Sequence, residues 1–125
     1  MRKVFLLFAA SMALSAGVRS AEELSVDLMQ SIEDTNKSLS SNIALSNKQA
    51  ATADAKELTQ MFAQVETFFD HKGDAKNAVD LAKQSKDLST EIVGYVAANN
   101  FESATTAATT LSRTCRTCHT FYKKE

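Results

Sequence analysis

Four stretches of this chain carry apolar residues at alternating steps of three and four, the spacing that lines one face of an α-helix. The first holds Met29, Ile32, Leu39 and Ile43, interrupted by Asn36. The second holds Ala51, Ala55, Leu58, Phe62, Val65 and Phe69. The third, a thin one, holds Ala78, Ala82, Ser85, Ser89, Ile92 and Val96, with Val79, Leu81 and Leu88 beside it. The fourth holds Phe101, Ala104, Ala108, Leu111, Cys115, Cys118 and Tyr122, and is rich in threonine at Thr105, Thr106, Thr109 and Thr110. A thin third stripe and a threonine-rich fourth are poor material for a self-sufficient core, which a large apolar cofactor would complete.

Turn signals separate the stretches at Ser46-Asn47, at His71-Lys72-Gly73-Asp74 and at Asn99-Asn100. Gly73 suits a helix end, while Asp74 and Asn100 are placed to cap the helices that follow. Long helices with short connections pack most simply as an all-α, antiparallel up-down-up-down four-helix bundle. The chain contains no proline, and only Gly73 and Gly94 follow the first twenty residues, which agrees with helix throughout. No internal repeat, linker or second domain is evident.

The start of the chain follows another pattern. Met1-Arg2-Lys3 is basic, Val4 to Leu14 is apolar, and small residues lead to Ser20 with Val18 two positions before it. This is the form of a secretory signal peptide over residues 1–20, with cleavage after Ser20, leaving residues 21–125 as one domain. The apolar core is too short to span a bilayer, and no cysteine near the cleavage point invites a lipid anchor. An exported protein without stable membrane insertion is expected. Loss of the leader removes Arg2, Lys3 and Arg19 and no acid, so the formal charge moves from −1 to −4. Such an acidic domain gives no reason to propose nucleic acid as a partner.

The most informative run is Cys115-Arg116-Thr117-Cys118-His119, which holds both cysteines of the chain and one of its two histidines. At i, i+3 and i+4 on a helix, two thiols and an imidazole share a face. One covalently attached haem (haem c) satisfies this set, with thioethers from Cys115 and Cys118 and His119 as proximal iron ligand. That attachment is made outside the cytoplasm in bacteria, so motif and leader agree on a periplasmic location. Three other uses compete. A Cys115–Cys118 disulfide within one helical turn is awkward in geometry and closes almost no loop. A thioredoxin-like pair belongs at a helix start after a strand. A zinc site needs a fourth ligand, and the remaining histidine, His71, falls in a predicted turn.

With its four helical stretches and a haem motif near the C-terminus, the chain resembles the class II c-type cytochromes, which include cytochrome c′ and low-spin relatives. The run Cys115 to Lys123 is similar to the family pattern in which an aromatic and a basic residue follow the haem histidine. The stretch Met29-Gln30-Ser31-Ile32-Glu33-Asp34 resembles that of the soluble b-type four-helix cytochrome, and the likeness implies Met29 as the distal iron ligand. In the predicted topology Met29 and His119 stand about 12 Å and about 9 Å from the same end of the bundle. Met29 is alternatively a flexible core filler. Met61 is a rival ligand that borders the second stripe, and Leu28 is the residue to cover an open iron as in cytochrome c′.

Arg113, Arg116, Lys123 and Lys124 make the end of the last helix basic, and no acid lies between Ser103 and Lys124. They suit haem propionates or an acidic partner, or simply the negative end of a helix dipole. Phe121 and Tyr122 are read as packing residues, His71 as a solvated turn residue, and Asn36 as an exposed edge of its stripe, with a partner-specifying polar group as the alternative. The resulting expectation is a periplasmic monohaem electron carrier, not an enzyme, with His119/Met29 ligation and redox proteins as partners. A five-coordinate binder of nitric oxide or carbon monoxide and a haem-free thiol–disulfide oxidoreductase are the alternatives. Several proteins of the resembled family dimerise through their first helices, and the sequence leaves monomer and homodimer open.

Overall fold

A computed structural model describes residues 26–122, with side chains described as far as Cys118. The leader, its cleavage point, Lys123, Lys124 and the side chains of His119, Phe121 and Tyr122 lie outside the described residues. The described residues form four helices and no strand: α1 (Val26–Ala44), α2 (Lys48–Lys72), α3 (Lys76–Ala97) and α4 (Phe101–Tyr122). None is long and apolar enough to cross a membrane.

The connections end the helices by local chemistry. Between α1 and α2, Ser46 takes a left-handed conformation (φ 52°), and the Asn47 side chain accepts from the Ala50 N–H to start α2. Gly73 closes α2 at φ 81°, where a side chain would be strained, and its N–H donates to the Phe69 carbonyl at 3.3 Å. Before α4, Asn99 is left-handed (φ 58°) and the Asn100 side chain accepts from the Ser103 N–H at 3.1 Å. Asp74 does not cap α3. The helix starts one residue later, from Ala75, which is buried and carries no side-chain cap. An apolar anchor into the core occupies the place where the sequence suggested a polar cap.

Each helix packs on two others, α1 on α2, α2 on α3, α3 on α4 and α4 back on α1, which is the closed ring of a four-helix bundle. The core draws on all four expected stripes, and Leu39, Leu58, Ile92, Val96 and Leu111 are wholly buried. Each such side chain contributes about 1.5–3 kcal/mol by leaving water. Bulk comes chiefly from α2, through Leu58, Met61, Phe62, Val65 and Phe69, and this fills the space left by the small residues of α3. Ser85 and Ser89 are buried at no loss because their hydroxyls donate to the Leu81 and Ser85 carbonyls, both at 2.8 Å. Most of the α4 threonines lie outside the core, Thr114 being the buried exception. Thr105, Thr106 and Thr109 are exposed, and each hydroxyl donates to the carbonyl four residues earlier. Neither feature therefore requires a cofactor to complete the core.

Polar contacts tie the helices together at three seams. Ser38 and Asn42 of α1 both donate to the Asp54 carboxylate of α2, at 2.8 Å each. Lys86 of α3 pairs with Glu66 of α2. Asn36 of α1 donates to the Ser112 hydroxyl of α4 at 3.2 Å. The α1–α4 seam is the thinnest of the four, since α1 buries only Ile32, Leu39 and Ile43.

Candidate functional site

The chemistry-bearing run ends α4, whose inner face passes through Ala104, Ala107, Ala108, Leu111 and Thr114 before reaching the cysteines. Cys115 lies four residues beyond the wholly buried Leu111 and packs against the core. Cys118 follows one turn later. Both are half-buried and neither is in a disulfide. His119 is the next residue of the same helix.

Burial sets the state of the thiols. It pushes Cys115 up from 9.0 to about 11, with a smaller contribution from the neighbouring Cys118, and pushes Cys118 upward as well. A redox or metal-capturing thiol shows the opposite, a pKa lowered by a helix N-terminus or a nearby cation. These cysteines occupy the far end of α4, where the helix dipole disfavours a thiolate. They are neutral, apolar and side by side.

In the reduced, haem-free chain this has two measurable consequences. At a pH below both values, Cys115 holds about 100-fold less thiolate than a thiol of pKa 9.0, so iodoacetamide is expected to alkylate it about 100-fold more slowly in folded than in unfolded protein. Stability is also expected to depend on pH. The folded chain keeps the Cys115 proton up to about 11 and the unfolded chain releases it near 9.0. Stability from this source is therefore intact below pH 9 and falls between 9 and 11, by on the order of 2–3 kcal/mol. Urea titrations across that range check it, and a flat profile counts against burial of the thiol.

The remaining candidates divide. Met29 is half-buried and packs against the core, as does Leu28 beside it. Met61 is not at the border of its stripe but inside the core, 6 % exposed, because α2 packs on both α1 and α3 and buries two adjacent residues, Met61 and Phe62. His71 is exposed in the last turn of α2 rather than in the connection after it. Arg113 and Arg116 are exposed on α4. Asn36, expected at an exposed edge, is half-buried and bonded to Ser112, and its Oδ1 is buried without a hydrogen-bond partner. An unsatisfied buried carbonyl costs about 1–3 kcal/mol. Its position between Ile32 and Leu39 was the available signal, outweighed by its polarity. Thr114, buried and donating to the Thr110 carbonyl at 3.0 Å, was also missed.

The two described thiols are donors of the kind that haem attachment uses. Two unpaired thiols one helical turn apart, half-buried against an apolar core, suit neutral thioethers to an apolar group. Two surface clefts lie elsewhere. One runs along α3 by Asp80, Asp87 and Glu91, and the other lies between α3 and α4 by Leu88, Tyr95 and Ala107. Among the described residues no three His, Cys, Asp or Glu side chains gather as a metal site. Comparison of the chain with family profiles, with curated proteins and with solved structures finds no match.

Proposed function

We propose that this chain is an exported, periplasmic monohaem c-type cytochrome of the class II kind that carries single electrons between redox proteins. The observation that carries the reading is the contiguous set Cys115, Cys118 and His119 at the end of α4, with both thiols unpaired and held neutral by burial. Cys115 and Cys118 hold the group through thioethers, and His119 is its proximal ligand. Bound there, haem supplies an Fe(II)/Fe(III) couple.

Met29 is the distal ligand in this reading. Three connections of three residues each support an up-down-up-down course, as does the run of cross-helix pairs Asn42–Asp54, Glu66–Lys86 and Asn36–Ser112. With α1 and α4 antiparallel, two turns back from Asn36 is Met29 and two turns on from Ser112 is His119. A step of seven residues nearly preserves the helix face, so the register that joins Asn36 to Ser112 supports Met29 as the α1 residue level with His119. Met29 and His119 would together hold the iron, and such a pair would favour electron transfer over ligand binding. Buried Leu111, one turn before Cys115, continues the apolar core toward the cysteines.

The five-coordinate alternative has one observation in its favour, since Leu28 is also half-buried against the core. The optical spectrum of the mature protein, oxidised and reduced, with and without carbon monoxide, separates the two. Sharp low-spin bands indifferent to the gas are expected. Broad high-spin bands that shift with it would replace the electron carrier by a gas binder, and no haem at all would return the site to its thiols.

A further inference from the structure

Asn36 sits half-buried on the core stripe of a helix that buries few residues. It follows Ile32 by four residues and precedes Leu39 by three, and both neighbours on the stripe are buried. A leucine there would continue the stripe. The amide instead donates one hydrogen bond across the thin seam to Ser112, three residues before Cys115, and leaves its Oδ1 buried and unpartnered. Stability alone does not favour that arrangement.

An apolar seam of Ile, Leu and Ala is tolerant of sliding, because a shift of one turn sets another apolar residue into the same hole. A partly buried amide with a single cross-seam partner is not, because a shifted register breaks its bond to Ser112. We propose that Asn36 is a positioning residue: its bond to Ser112 fixes the register of α1 against α4 and so selects which α1 side chain stands level with His119. The second half rests on the haem reading; the first does not. A slip of one turn would bring Val26 or Ile32 to the level of Met29, and neither carries sulfur.

The test compares full-length, periplasmically expressed wild type with N36L and, as a milder change that removes only the partner hydroxyl, S112A. Three readouts are taken: Ile32, Leu39 and Leu111 methyl NMR signals with their cross-seam contacts, the spin state, and carbon monoxide binding. In wild type each methyl gives one signal. In N36L the Tm is expected to rise by about 4–8 °C as the stranded carbonyl disappears, while the methyl signals split into two or more sets and a fraction of the haem turns high-spin and binds carbon monoxide. S112A is expected to show a smaller second set, which keeps the proposal open to refutation if N36L fails to fold. A single set of methyl signals with wild-type contacts in a folded variant overturns the proposal, whatever the Tm does. Split signals in a chain whose wild type is high-spin or haem-free would uphold Asn36 as the register residue and overturn the His119/Met29 reading instead.

Discussion

Replacing Cys115 and Cys118 together by alanine is expected to abolish covalently bound pigment, so that acid–acetone extraction leaves a colourless chain of unmodified mass. The two thiols are the only ones in the sequence, so no other side chain can form a thioether. Single replacements are expected to retain one link and hence the pigment, in lower yield. Alanine is the strongest helix former and both positions are half-buried, so α4 itself should survive the change. Circular dichroism therefore distinguishes lost attachment from lost folding. Intact mass before and after extraction decides the matter: a wild type that carries no added mass would sink the cytochrome reading, and a double variant that keeps it would show attachment elsewhere.

The second large effect belongs to Met29→Ala. On the cytochrome reading, the change leaves His119 as the one protein ligand, and the reduced spectrum is expected to change from low-spin to high-spin, carbon monoxide to bind where it did not, and the reduction potential to fall, since methionine ligation raises it. The cost to folding should be small, about 1–2 kcal/mol, because Met29 is half-buried rather than enclosed. Met61→Ala makes the contrast, removing a core side chain at about 2–5 kcal/mol without touching the spectrum. If Met61→Ala alters the iron and Met29→Ala does not, the ligand has been assigned to the wrong helix.

Most of the fold was legible because helix burial follows a period that the residue types reveal. Ile32, Leu39, Leu58, Phe62, Ile92 and Leu111 were all readable from spacing alone. What spacing misses is the width of the buried sector. A helix wedged between two neighbours buries adjacent residues, as α2 does with Met61 and Phe62 and α4 with Ala107 and Ala108. Polarity misleads in both directions: Asn36 looked exposed and spans the α1–α4 seam, while Asp74 looked like a cap and the apolar Ala75 took the place. The cysteines and His119 were legible as a motif because their spacing lies within one helix. A distal ligand depends on the register between two helices, which no local pattern encodes.

The short connections also set a tempo. Helices joined by three-residue links make mostly local contacts, and chains of that kind fold in microseconds to milliseconds. Burial that holds Cys115 neutral makes it a poor nucleophile once α4 has docked. On the cytochrome reading, attachment is then a race against collapse, and the machinery that performs it must capture the newly exported thiols while α4 is still a loose end.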